Sequence, residues 1–260
     1  MSIRVLVTGS KGQVAQALAE RADGRAGFDV VCVGRPRLDL ADTRTIELVL
    51  RTEAPDVVIA AAAYTAVDRA ETEADLAMQL NAHAAGDLAA LTRSSGARLI
   101  HISTDYVYDG ANDRPYVETD DTAPRTSYGK SKLAGELLVR ERHPEAVILR
   151  TAWIYSPFGR NFVKTMLEQA RTRDRLSVVA DQFGNPTSAL DIADAILAII
   201  ARWRTDPATG LGGCYHCAAA GEASWYEFAR HIFAASLSLG GPSVGVAAIR
   251  SSDWLTPAVR

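Results

Sequence analysis

Five apolar runs of strand length alternate with segments whose apolar residues recur at helical spacing, and this alternation constrains the fold more than any other feature of the chain. The strand-like runs are Arg4 to Thr8, Asp29 to Val33, Val57 to Ala61, Arg98 to Ser103 and Ala146 to Leu149. Between them lie Gln13 to Ala22, Arg44 to Thr52, Ala70 to Ser94 and Tyr128 to Glu141, each patterned as a helix. Parallel strands need a crossover long enough to hold a helix, and strands buried on both faces are apolar throughout. The order therefore predicts an α/β fold, a doubly wound parallel sheet with helices on both faces. After Arg150 the rhythm breaks. A loop rich in aromatic and polar groups, "TAWIYSPFGRNF", leads into a helix expected from Val163 to Arg173, and a second, strongly apolar helix follows an N-cap at Thr187 or Ser188.

Composition narrows the function classes. The 260 residues are 48% apolar and 23% charged, which suits a soluble globular protein rather than a disordered one. A formal net charge of −3 and the lack of any basic run give no field for a phosphate backbone or an anionic lipid surface, so neither nucleic acid nor membrane is expected as a partner. The longest apolar runs, Val57 to Tyr64 and Ala195 to Ala201, are too short to span a bilayer. The opening "MSIRVLVTGS" enters a strand at once and leaves no room for a signal sequence, so the expected location is cytoplasmic. Three cysteines make no disulfide framework. Cys214 and Cys217 have a C-x-x-C spacing, but in a strand they face opposite sides, and ordinary packing is the expectation.

The first strand runs into Thr8-Gly9-Ser10-Lys11-Gly12-Gln13-Val14-Ala15, a glycine turn that opens a helix. Gly9 and Gly12 permit a tight turn and close approach of a pyrophosphate to the backbone, while the helix start offers free N–H groups and the positive end of its dipole. In the first of several strand-helix units, a dinucleotide site is the better reading, with Gln13 and Val14 against the cofactor. At the end of the second strand, Arg35 fits a ribose 2′-phosphate and favours NADPH, while Asp39, followed by Leu40, leaves NADH open. After the third strand come small side chains, Ala62 and Ala63 with Thr65 beyond, against which a flat ring or a ribose can lie.

In "TSYGKSKLAGE", Tyr128 and Lys132 are four residues apart and project from one helix face. Bringing a phenol from its reference pKa near 10 to neutrality needs about 4 kcal/mol. An ammonium about 4 Å away supplies a similar amount at an intermediate dielectric. Gly129 costs the helix about 1 kcal/mol, which makes sense if something approaches its backbone closely. At the end of the fourth strand, Ser103 and Thr104 are delivered to the ligand side of such a sheet, where a hydroxyl can hold a substrate carbonyl.

Glycine turn, hydroxyl after strand four and Tyr-x-x-x-Lys together resemble the extended short-chain dehydrogenase/reductase superfamily with its Rossmann domain, and within it the dTDP-4-dehydrorhamnose reductase family. The similarity extends through "VTGSKGQVAQAL", "AAAYTAVDRAETE", "HISTDYVYDG", Tyr116 to Pro124, "YGKSKLAGE", "LRTAWIYSPFGRNFVKTML" and "DQFGNPTSALDIAD". It implies reduction of the 4-keto group of a dTDP-4-keto-6-deoxyhexose to dTDP-L-rhamnose, with NADPH or NADH as donor. It also implies that Thr104 orients the carbonyl, Tyr128 donates the proton, and Lys132 assists while binding the nicotinamide ribose. Trp153 would flank the sugar or the base, with Asp105, Asn161, Gln182 and Asn185 on the substrate. On this likeness 1–152 and 184–222 form the dinucleotide-binding domain, and 153–183 with 223–260 a smaller lobe whose C-terminal part is expected to be incomplete. Ala60 stands where such proteins commonly carry asparagine. Metal-bridged dimers occur among them, but no acidic ligand set is matched here, so no metal is expected; a homodimer stays open. Asp105 is followed by Tyr106 rather than glutamate, which argues against a dehydratase. A 4-ketoreductase for another dTDP-deoxyhexose and a non-catalytic NADP-binding regulatory subunit are the remaining alternatives.

Overall fold

The computed structural model describes residues 2–259, so residues 1 and 260 of the expected domain limits lie outside the described residues. Strand β1 (Ile3–Thr8), helix α1 (Gln13–Ala22), β2 (Phe28–Val33), α2 (Thr43–Glu53) and β3 (Val57–Ala60) keep the expected alternation. Short helices α3 (Val67–Ala70) and α4 (Ala74–Met78) lead through a π-helical turn (Gln79–His83) into α5 (Ala84–Ser94), then β4 (Arg98–Thr104), α6 (Ser127–Arg142) and β5 (Val147–Thr151). The remainder comprises β6 (Ile154–Tyr155), α7 (Phe162–Gln169), β7 (Arg175–Val179), β8 (Phe183–Gly184), β9 (Thr187–Ser188), α8 (Ala189–Thr205), β10 (Cys214–His216), β11 (Ala223–Ser224), α9 (Trp225–Ser238) and β12 (Gly245–Ile249).

Six strands pair in parallel in the order β2-β1-β3-β4-β5-β10. The chain moves outward from β1 to β2 and then returns to β3 on the other side of β1. That reversal opens a crevice beyond the carboxyl ends of β1 and β3, where ligands bind in such sheets. Strand alternation sorts the core onto two faces: Val5, Val7, Val57 and Ile59 pack with α1 and α8, whereas Leu6, Val58 and Leu99 pack with α2 and α5. Cys217 packs against the first of these clusters. A smaller core joins Met166 of α7 and Leu176 and Val178 of β7 to Ala229, Ile232 and Phe233 of α9, with β12 paired in parallel to β7.

Two helices depart from expectation. The segment from Ala70 to Ser94 is broken, because Glu71 turns aside to accept from the Ser127 N–H and hydroxyl. Within the π turn, the Asn81 amide bonds both ways to the Tyr64 backbone and donates to Ser131 Oγ. The helix expected to reach Arg173 ends at Gln169, closed by the Arg173 amide on the Gln169 carbonyl. Ser188 caps α8, accepting from the Leu190 N–H.

Candidate active site

Helix α6 begins at a Thr126 cap, whose hydroxyl accepts from the Gly129 amide at 2.9 Å. Both glycines of "TSYGKSKLAGE" answer to close backbone approach: a Cβ on Gly129 would collide with the Tyr106 carbonyl, and one on Gly135 with the Asn81 carbonyl. The helix is thereby drawn against the turn after β4 and the π turn at once. Tyr128 and Lys132 face inward, both buried, and the Tyr106 ring meets the Tyr128 ring edge-on at 5.5 Å.

The two hydroxyls at the end of β4 diverge. Ser103 Oγ donates to Glu136 Oε1 at 2.6 Å, in a buried network where the Arg150 guanidinium holds the same carboxylate through Nε and Nη2 at 3.0 and 2.7 Å. Ser103 lines the cleft beside Thr104, but its proton is given to Glu136 in this network. Thr104 Oγ1 instead donates to Asp105 Oδ1 at 3.0 Å and lies beside the Tyr128 phenol. Burial raises the Asp105 carboxyl to about 6, against the pull of the Thr104 hydroxyl.

Tyr128 also differs from the sequence argument. Burial pushes its phenol well above the usual value, the Thr104 hydrogen bond pulls the other way, and the charge on Asp105 raises it further. Lys132 does not aim its ammonium at the phenol: Nζ donates to the Ile102 carbonyl at 2.8 Å and lies 3.4 Å from His101 Nε2. Burial lowers the lysine to about 8, opposed by the Glu136 charge. A phenol that keeps its proton at neutral pH is set up as a proton donor, which is the direction a ketone reduction needs.

A cleft of about 990 Å³ runs from the glycine turn to this cluster. Gly9, Gly12, Gln13 and Val14 line one end; Arg35, Asp39 and Leu40 lie beyond them; and Ala62, Ala63 and Thr65 form the wall toward Tyr128, Lys132, Thr104 and Asp105. Gly9 has φ +90° and fits its backbone against Ala62, while a Cβ on Gly12 would meet nothing within 4 Å and so opens toward the cleft. No acidic residue stands in the first turn of α1, which leaves the positive helix end uncompensated for an anion. Of the neighbouring arginines, Arg37 is bound to Glu53, whereas Arg35 lies exposed at the cleft edge. Length, glycine backbone, helix start and a free cation match the parts of a phosphorylated dinucleotide.

On the lobe side, Trp153 and Asn161 line the same cleft. Trp153, with φ +44°, stacks on Trp225 with centroids 3.5 Å apart and planes at 6°. Asn161 is occupied by structure: its Oδ1 caps α7 through the Lys164 amide, and its Nδ2 donates to the Ser156 carbonyl and to Gln13 Oε1. Gln13 itself bridges α1 to the lobe, accepting from Ser156 Oγ at 2.7 Å as well. Gln182 and Asn185 are not brought to the cleft wall. Gln182 donates to Ser251 Oγ, and Asn185 to the Ala219 and Gly221 carbonyls, so both are spent on ties between loops. Lys11, Leu80 and Trp225, none of them among the expected site residues, also line the cleft. For Trp225 the available signal was an aromatic at the first helical position, directly after the Ser224 cap and inside the Ser224–Glu227 capping box. Among the described residues no group of three or more His, Cys, Asp or Glu is placed to hold a metal, and no helix is long and apolar enough to cross a membrane.

A parallel sheet of this order, with Thr104, Tyr128 and Lys132 at the end of a dinucleotide-shaped cleft, defines an extended short-chain dehydrogenase/reductase. Residues 3–260 match the model of the RmlD substrate binding domain, and the chain belongs to that family. It is 44% identical to a dTDP-4-dehydrorhamnose reductase of Sinorhizobium fredii over 99% of this chain and 86% of the relative. A dTDP-4-keto-6-deoxy-D-glucose reductase of Streptomyces niveus is 37% identical over 90% of this chain and 78% of its own. The crystal structure of a dTDP-4-dehydrorhamnose reductase from Bacillus anthracis in complex with NADP superposes with a TM-score of 0.91 at 38% identity, covering 100% of this chain and 88% of that one.

Proposed function

We propose that this protein reduces the 4-keto group of dTDP-4-dehydro-6-deoxy-L-mannose to dTDP-L-rhamnose with NADPH, in the cytoplasm. The observation that carries the reading is the convergence of Tyr128, Thr104 and Lys132 at one end of a cleft whose other end is a glycine-lined helix start. Gly9 to Val14 would hold the pyrophosphate of the dinucleotide, Arg35 its 2′-phosphate, and Ala62, Ala63 and Thr65 the ribose. When bound, a reduced nicotinamide supplies the hydride that the carbonyl carbon takes up. The chain's own residues do the rest. Thr104 Oγ1 turns its proton from Asp105 to the carbonyl oxygen, and Tyr128 O–H gives that oxygen its proton as charge develops there. The Lys132 ammonium, one helical turn away, favours the tyrosinate left behind through its charge rather than through a hydrogen bond. Trp153 and Trp225 present flat faces to the sugar nucleotide on the lobe side.

The test is NADPH oxidation by the purified chain with the dTDP-4-keto-6-deoxy-L-sugar, run beside other dTDP-4-keto-6-deoxyhexoses, because the 37% identity to a dTDP-4-keto-6-deoxy-D-glucose reductase favours that second reading. Turnover of only a different keto sugar would reassign the substrate. NADPH binding without turnover on any of them would make the chain a regulatory subunit. Light scattering of the same sample tests for a homodimer.

A further inference from the structure

Lys132 is also held from behind the cleft wall, by His101, which is not among the residues lining the cleft. Alternation along β4 sends Ile100 and Ile102 into the α1 and α8 core, and so turns His101 toward α5 and α6. His101 and Lys132 are each 3% exposed. Their facing atoms, Nε2 and Nζ, are 3.4 Å apart, at the outer limit of a hydrogen bond. An ammonium only donates, so Nε2 is the acceptor and the ring proton sits on Nδ1. Nδ1 has no partner among the described residues. A void of about 10 Å³, about the size of one water, is bounded by His101, Lys132, Asn81 and Ala60 among others. Ala60 is the register partner of His101 across β3 and β4, and its small side chain keeps that room open.

We infer that His101 is a positioning residue for the reaction: its imidazole, bordering the same void as the lysine, holds the Lys132 ammonium at the floor of the cleft one helical turn from Tyr128. Burial, and then the lysine's own charge, disfavour protonation of the ring, which favours its role as an acceptor. The other groups around Lys132 are accounted for. From α6 come Tyr128 and Glu136, the latter paired with Arg150 of β5; the turn after β4 brings Asp105; and the π turn brings only the uncharged amide of Asn81. Of these, His101 alone accepts from Nζ through its side chain, beside the Ile102 carbonyl.

The catalytic consequence rests on the ketoreductase reading, so the first measurement is independent of it. Lysine side chains labelled with carbon-13 are titrated by NMR in the free protein, with Lys132→Met identifying the signal. Lys132 is expected to titrate near 8 in the parent. In His101→Phe the midpoint falls by about one pH unit, because the charged form has lost a hydrogen bond. His101→Gln, which keeps a polar group at that height, restores it. If Phe prevents folding, His101→Leu makes the same comparison. In the NADPH assay the basic limb of kcat moves with the midpoint, while KM for the keto sugar holds. An unchanged midpoint in a folded His101→Phe overturns the inference, and so does an equal fall in Phe and Gln, which would trace the effect to packing.

Discussion

The two walls of the cleft are built by different means. On the sheet wall, Thr104, Tyr128 and Lys132 stand on a buried polar lattice that runs from Ser103 through Glu136 and Arg150 to Tyr108 and His216. The lobe wall is instead made of rings: Trp153 lies on Trp225, and Phe162 and Phe228 pack around the latter. Proton transfer tolerates little displacement, and a hydrogen-bonded lattice with a buried ion pair admits few alternative arrangements. Binding the flat or apolar parts of a ligand needs area and shape more than fixed angles. Substitutions on the sheet wall should therefore act on kcat or on folding, and those on the lobe wall on KM.

The largest effect is expected at Tyr128. Tyr128→Phe keeps the ring packed against Tyr106 and removes only the donated proton, so kcat should fall about a hundredfold to ten-thousandfold with NADPH binding retained. A change confined to KM would break the division between the walls. Next comes the lattice itself. Arg150→Met leaves Glu136 charged and buried without its partner, which should cost about 3–5 kcal/mol in urea unfolding. The double variant Arg150→Met with Glu136→Leu should recover much of that loss. If the single variant unfolds like the parent, the lattice is not what fixes the sheet wall.

Arg35 lies outside both walls, at the cofactor end, and so sharpens the comparison. Arg35→Ser should raise KM for NADPH about tenfold to a hundredfold, the loss of a charge-assisted bond to phosphate, with KM for NADH nearly unchanged. Equal effects on both cofactors would remove Arg35 from the 2′-phosphate and turn attention to Lys11 at the same edge.

Local features were legible in the sequence because their physics is local. Buried parallel strands show as unbroken apolar runs; Tyr128 and Lys132 share a face through helix geometry alone; and the cost of Gly129 pointed to the close approach that the Tyr106 carbonyl makes. Features that depend on distant partners were not legible. The π turn exists where Asn81 reaches Tyr64 and Ser131, the latter fifty positions on. Ser103 lines the cleft yet spends its hydroxyl proton on a carboxylate thirty-three residues away. The phenol of Tyr128 rose where a neighbouring ammonium had suggested a fall, because desolvation depends on how completely the folded chain covers the ring. Gln182 and Asn185 sit in a polar turn, but which way a turn faces is decided by the lobe that closes over it.

Trp225 gives the smallest effect and the most direct test of the lobe wall. Its ring lies parallel on Trp153, whose positive φ is an unfavourable backbone state that the surrounding packing must hold. Trp225→Ala removes one face of the stack, worth about 0.5–1.5 kcal/mol, and should raise KM for the keto sugar roughly threefold to tenfold. The Tyr128 cluster lies on the opposite wall and shares none of these ring contacts, so kcat at saturation should stay within about twofold of the parent. Trp225→Phe, which restores a flat face of smaller area, should return most of the KM. Were kcat to fall with KM unchanged, the rings would be acting on the placement of the reacting carbonyl, and the two walls would be a single device.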